Sequence, residues 1–453
     1  MKNILILCII LFSILEVNAQ KTAQKEGYEY FLDFFTSSDL NTHNTAYTYI
    51  DYNWKESFEI LAIETLYFLK NTKTSTKILS LLEKETKKNY GYDFNAWYEY
   101  IWNKTAAYNS NYYKFKATLH HYIDYKFSRY FLNREQQSTI RLDEVRWGGV
   151  VQDGIPPLRN PLMINAKQAT YLKDDHIVFG IAVNGDVRAY PKRILAWHEM
   201  FTDTVGGIPL AGVYCTLCGT VIVYKTNKYG VQYDLGTSGF LYRSNKLMYD
   251  KETQSLWNTL WGKPVIGPLV GKNIELEYLS VVTTTWGEWK KRHPETSVLS
   301  LRTGHQRDYN EGVAYKDYFA TDNLMFNIHK KDKRLKNKQQ ILAIRIPDQT
   351  EENFAISSKF LKRKRIFKHT IGNNNFTVFT DKSGAHRVYF TEDVEFTDYD
   401  KGIEATDNNG NTWQLTEDAL IHTTTKQKLA RFPAYNAFWF GYQAAFPNVT
   451  LIK

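Results

Sequence analysis

Apolar residues recur at helical spacing through residues 28–131. From residue 140 onward they give way to short β-branched runs separated by Gly, Asn, Asp and Pro. In the first stretch Trp54, Phe58, Leu61, Ala62 and Leu66 fall on one helical face, as do Ile78, Leu81 and Leu82. Asp93 precedes Phe94, Trp97, Tyr98, Ile101 and Trp102 and has the chemistry of an N-cap. A further amphipathic run covers residues 113–131. Such stripes are ordinarily core faces, so a stack of helices is expected, with a partner-docking surface as the alternative use.

In the second stretch, residues 177–183 and 187–190 flank Asn184-Gly185, a strong short-range hairpin signal. Pro191 opens a short helix expected over residues 192–201. Residues 208–213 and 221–224 are strands on either side of Cys215-Thr216-Leu217-Cys218-Gly219, a tight knuckle in which Gly219 can supply a positive φ. A second helix is expected over residues 284–292, stopped by His293-Pro294, and residues 330–338 form a charged linker. The fold class is α+β, a helical N-terminal region followed by two tandem β-rich units with short helices. The expected divisions are residues 20–140, 141–330 and 331–453.

The third division reads as a degraded copy of the second. Residues 178–183 match 341–346 in pattern, and Thr204-Val205-Gly206-Gly207 matches Thr370-Ile371-Gly372-Asn373 at an offset of 166. Trp286 and Pro294 match Trp439 and Pro447 at an offset of 153, which makes residues 434–445 the partner of the 284–292 helix. Tandem units of this kind share a core or face a cleft. At the first offset Cys215 falls on Asp381, Cys218 on Gly384 and His198 on Lys364. The second unit therefore shows no substitute for these residues, which favours a functional role for them.

The chain opens with Met1-Lys2-Asn3, an apolar run over residues 4–15 and Val17-Asn18-Ala19, the pattern of a secretory signal peptide over residues 1–19. Export to a periplasmic or extracellular space permits disulfides. No later run reaches the ~20 apolar residues of a membrane-spanning helix. Of three cysteines only Cys215 and Cys218 lie outside the leader, too few for a disulfide scaffold. A net charge of +9 with no dense basic stripe excludes a nucleic-acid footprint and leaves a mild bias towards anionic surfaces or glycans.

The motifs Asp153-Gly154-Ile155-Pro156-Pro157, Arg188-Ala189-Tyr190-Pro191, Trp197-His198-Glu199, Asp203-Thr204-Val205-Gly206-Gly207, Tyr214-Cys215-Thr216-Leu217-Cys218-Gly219-Thr220, Met248-Tyr249-Asp250 and Ala437-Phe438-Trp439-Phe440 together resemble domain-of-unknown-function family 3179. The resemblance covers residues 147–453. Thr216 stands where the family pattern has Pro. The resemblance carries no activity, so the chemistry rests on the residues.

The preferred reading is a transition-metal site. A Cys-x-x-Cys-Gly hairpin presents two thiolates as zinc knuckles do, and His198 supplies a third ligand. Glu199 is then a further ligand or a general base acting on metal-bound water. Copper also suits two thiolates with His198 or Met248. The first alternative is a thiol–disulfide redox pair, although both flanks are strands and no helix N-terminus is present to lower a thiol pKa. The second is a structural disulfide in a non-catalytic glycan- or partner-binding module, with Trp257, Trp261, Trp286 and Trp289 as stacking platforms. Arg243, Ser244 and Asn245 are candidates for binding an anion or sugar, or for a turn. His305 is expected in a solvated loop. Ser238 lacks the context of a nucleophile elbow.

Overall fold

The helical periodicity of the N-terminal stretch is realised as discrete helices in the computed structural model. The structure describes residues 25–69, 73–105, 110–345, 353–400 and 402–453. The expected leader over residues 1–19 lies outside them. The chain divides into two units, one ending at Tyr92 and one beginning at Asp93.

The first unit comprises α1 (Gly27–Thr36), α2 (Leu40–Tyr52), α3 (Phe58–Phe68) and α4 (Lys73–Thr86). The Asp39 carboxylate accepts from the Asn41 and Thr42 N–H groups and starts α2. Phe31, Phe58, Leu61, Leu66 and Leu82 are buried, as the spacing requires. Trp54 falls between α2 and α3 rather than on a helix.

The second unit opens with α5 (Phe94–Trp102), which Asp93 caps by accepting from Asn95 and Ala96, then α6 (Ser110–His121) and α7 (Ser128–Phe131). Phe127, Tyr130 and Phe131 close around Phe240, so the helices after Asp93 pack with the β-rich part. That part contains β1 (Ile177–Val183), β2 (Asp186–Pro191), α8 (Lys192–His198), β3 (Met200–Val205), β4 (Ile208–Cys215), β5 (Thr220–Lys225), β6 (Leu235–Tyr242) and β7 (Asn245–Asp250). There follow β8 (Val282–Thr285), α9 (Trp286–Arg292), β9 (Ser297–Leu299) and a short α10 (Lys316–Ala320).

After the charged segment come β10 (Gln340–Arg345), β11 (Asn353–Ser357), α11 (Ser358–Arg363), β12 (Ile366–Ile371), β13 (Asn374–Thr380) and β14 (His386–Phe390). A five-stranded meander covers residues 396–430, and β15 (Ala434–Phe438), α12 (Trp439–Ala445) and β16 (Thr450–Ile452) complete the chain. Strand order β8-β1-β2-β9 recurs as β15-β10-β11-β16. In each set the first two pairings are antiparallel and the last is parallel. In each set a three-stranded antiparallel run, β3-β4-β5 or β12-β13-β14, is inserted in the chain between the two middle strands and the two outer ones.

Two expected helices are shorter than their apolar patterns. Residues 434–438 form a strand because they complete the sheet beside β10, and the helix starts only at Trp439. The helix expected over residues 192–201 stops at His198 because Glu199 takes a left-handed conformation, φ 55°, and Met200 and Phe201 pair with Val213 and Gly212. A Cβ at Gly212 would lie about 2 Å from the ring of Phe201, its cross-strand neighbour. Gly212→Ala is therefore expected to destabilise the second unit by about 1–3 kcal/mol through overpacking. An unchanged urea midpoint would show that the ring gives way freely.

Candidate functional site around the cysteine knuckle

Strand β4 ends at Cys215, β5 begins at Thr220, and these two residues are paired across the turn. Gly219 takes φ 56°, as the knuckle requires. Cys215 and Cys218 are joined in a disulfide and are 2% and 0% exposed. The turn is backed by the C-terminal segment. The Phe438 N–H donates to the Cys218 carbonyl at 2.8 Å, a Cβ at Gly219 would strike the Phe438 ring, and a Cβ at Gly441 would strike Cys218. The motif Ala437-Phe438-Trp439-Phe440 thus holds the knuckle, although more than two hundred residues separate them in the chain.

The end of α8 sends two adjacent side chains to different partners. At Glu199 the backbone N–H donates to the Leu195 carbonyl at 2.7 Å, and the carbonyl accepts from the Tyr214 N–H at 2.9 Å. His198 is buried, with Nδ1 2.9 Å from the Pro156 carbonyl and Nε2 2.5 Å from the Tyr309 hydroxyl. Burial pushes its pKa down to about 4, so the ring is neutral at pH 7. The Tyr309 hydroxyl also lies 2.6 Å from the Thr303 hydroxyl, and the His305 ring stands 5.1 Å from that of His198. His198 therefore anchors the 303–309 loop.

Glu199, 4% exposed, is turned towards the knuckle. Its Oε1 accepts from the hydroxyls of Thr216 at 2.6 Å and Tyr315 at 2.7 Å. Its Oε2 is ion-paired with Lys246, which is 6% exposed. The Tyr315 hydroxyl is held protonated, first by burial and then by the adjacent carboxylate. Glu199, Cys215, Thr216, Thr237, Lys246 and Tyr315 share the wall of a cavity of about 60 Å³ whose remaining lining is mainly apolar or backbone. Cys215 faces this cavity and Cys218 does not line it.

The other motifs interlock around this centre. Asp153 accepts from the Thr237 N–H at 2.9 Å and from the Tyr249 hydroxyl at 2.6 Å. Asp203 accepts from Arg188 at 2.8 Å and from the Tyr190 hydroxyl at 2.7 Å. Arg243 and Ser244 both have positive φ and form the two-residue turn between β6 and β7. The Arg243 side chain pairs with Glu144 and donates to the Ala444 carbonyl at 3.1 Å, and Asn245 donates to the Gly441 carbonyl at 3.0 Å. The candidate binding residues Arg243 and Asn245 are thus committed to fixing α12. Ser238 donates to the Leu247 carbonyl at 2.6 Å.

Of the residues singled out in the sequence, Cys215, Cys218 and Glu199 come together. Both ring nitrogens of His198 are engaged elsewhere, at Pro156 and Tyr309. Among the described residues no three His, Cys, Asp or Glu side chains are placed to hold a metal ion, and both sulfurs are spent in the disulfide. The donor set proposed for zinc or copper is therefore not assembled. Lys246, Tyr315 and Thr216 are the residues that sequence reasoning missed. Lys246 adjoins the Arg243-Ser244-Asn245 turn, Thr216 was visible as a departure from the family pattern, and nothing in the sequence marks Tyr315.

The turn between β13 and β14, which the offset of 166 aligns with the knuckle, is tied without sulfur. Asp381 accepts from the N–H groups of Ser383 and Ala385 and from the Ser383 hydroxyl, which ties the turn between β13 and β14. Arg387 neutralises it at 3.0 Å.

His198 near 4, His386 near 4 and His120 near 3 are all lowered chiefly by burial. Their folded values lie below the unfolded value of about 6.5, so the unfolded chain takes up protons first. Stability is expected to be full above about pH 6.5 and to fall towards pH 5, by up to about 1.4 kcal/mol per pH unit for each histidine. Urea unfolding between pH 7.5 and 5 measures the slope, which His198→Gln should make shallower. A flat profile would contradict the buried neutral rings.

No helix among the described residues is long and apolar enough to cross a membrane. No curated protein and no solved structure matches the chain. Residues 152–449, which contain the knuckle, Glu199, Lys246 and the segment backing them, match the family model described as "Protein of unknown function (DUF3179)". The chain belongs to that family.

Proposed function

We propose that the chain is an exported thiol–disulfide redox protein whose active sulfur is Cys215. The observation that carries this reading is that Cys215 opens onto a cavity walled by a buried carboxylate–ammonium pair, while Cys218 is packed behind it. A disulfide closing so short a loop adds only about 2 kcal/mol by loop entropy, in a turn that strand pairing already holds. Burying Glu199 and Lys246 beside the sulfur costs desolvation, and it places a cation on the wall that Cys215 shares.

In the exchange, a substrate thiolate attacks Cys215 Sγ, the Cys215–Cys218 bond breaks, and Cys218 leaves as a thiolate that takes a proton. A second substrate thiol then attacks the mixed disulfide and releases Cys215 as a thiolate in the cavity that Lys246 lines. The net change converts one protein disulfide and one substrate dithiol into a protein dithiol and a substrate disulfide. Another thiol–disulfide couple reverses it. With both flanks of the knuckle in strands, Lys246 supplies the positive charge that a helix N-terminus supplies elsewhere. The basic, apolar and small-residue order of residues 1–19 supports export, where such couples operate.

Asp381 favours a second reading, in which the disulfide only ties the turn as that carboxylate does in the other unit. Equilibration of the native protein with graded dithiothreitol, followed by thiol alkylation and mass measurement, separates the two. The redox reading expects Cys215 and Cys218 to be reduced reversibly while the fold persists. A disulfide that resists reduction until the protein unfolds would establish the structural role.

A further inference from the structure

A second cavity, of about 220 Å³, lies on the other side of the knuckle, against Tyr214, Gly219 and Phe438. Equivalent elements of the two tandem units build it. Lys192 opens α8 and Ser358 opens α11, and 358 − 192 is the offset of 166 found in the sequence. Thr283 of β8 and Asn436 of β15 are separated by 436 − 283, the second offset of 153. Residues of both units therefore face each other across one space.

The chemistry of the walls is one-sided. Lys192 and Lys362 line the cavity and no Asp or Glu does. Neither lysine has a carboxylate within ion-pairing distance among the described residues, and Lys192 rests its ammonium on the Phe319 ring at 4.7 Å. The nearest acidic groups are committed or remote. Asp381 is held by Arg387 and the Ser383 turn, and Glu311 acts on Lys192 only through its field.

Three polar side-chain atoms in the same walls have no hydrogen-bond partner among the described residues: His386 Nε2, Ser358 Oγ and Thr283 Oγ1. His386 and Ser358 are each 6% exposed, so a missing partner is costly. The other ring nitrogen of His386 sits 2.9 Å from the Thr380 hydroxyl, which leaves Nε2 free to carry the proton and donate. Two cations and three unmet donors around one space specify an oxyanion, which accepts all of them.

We propose that this cavity binds a small molecule bearing a carboxylate, phosphate or sulfate group, held by Lys192 and Lys362 and by donors from His386, Ser358 and Thr283. The site is independent of the sulfur chemistry on the other side of the knuckle.

Isothermal titration of the protein with inorganic phosphate, sulfate and succinate, at ionic strength matched with chloride, tests it. At least one probe is expected to bind, and Lys362→Gln and Lys192→Gln are each expected to weaken it tenfold or more with the circular-dichroism spectrum and Tm retained. Should Lys362→Gln fail to fold, Ser358→Ala serves in its place, with an expected loss of at least threefold. No binding of any probe beyond the chloride control, or binding indifferent to these substitutions, would overturn the proposal.

Discussion

A carboxylate buried at the end of a helix must find a cation, and the site is arranged around how Glu199 finds one. The left-handed backbone at Glu199 ends α8 and swings the carboxylate to Lys246 on β7. Either charge alone would be expensive at this depth, and removing one partner of such a pair typically costs about 3–5 kcal/mol. Thr216 and Tyr315 satisfy the remaining acceptor positions, so the pair fixes four chain segments together: the end of α8, the knuckle, β7 and the stretch entering α10. The same backbone reversal sends His198 to Pro156 and Tyr309, which separates two residues that adjacency in the chain had joined.

The knuckle lies between two different environments. On one side, Cys215 shares a small cavity with the ion pair. On the other, Tyr214 and Gly219 line a larger space together with Lys192 and Lys362. The C-terminal segment closes the knuckle from behind through Phe438 and Gly441. This explains why motifs from both ends of the matched region are needed for one centre. The strand orders recur, and the two corresponding turns are tied differently, one by sulfur beside the Glu199–Lys246 pair and the other by Asp381, which is itself paired with buried Arg387.

Much of the fold was legible because its signals are local. Asn184-Gly185 marked its hairpin, Asp93 its helix start, and Gly219 the positive φ of the knuckle. The paired strand orders follow the spacing of Thr204-Val205-Gly206-Gly207 and Thr370-Ile371-Gly372-Asn373. The misses have one cause, contact between segments remote in the chain. Residues 434–438 keep a helical pattern yet form a strand because β10 is beside them. His198 and Glu199 looked like a ligand pair, but tertiary partners divide them. Tyr315 reaches Glu199 across 116 residues, and no spacing rule encodes such a distance. In the sequence Asp381 reads as the loss of a cysteine, whereas its carboxylate ties the turn through hydrogen bonds that a residue alignment does not show.

Lys246 and Cys215 line one cavity, and a redox role for the knuckle requires that the ammonium act on the sulfur. The pH dependence of alkylation of Cys215 in a Cys218→Ser background, with and without Lys246→Met, measures this directly, and thermal unfolding confirms that both variants are folded. Loss of the ammonium should move the alkylation profile to higher pH, since an opposite charge nearby favours the thiolate. Superimposable profiles would mean that the cation and the sulfur do not communicate, and the account of the knuckle as a redox centre would fail.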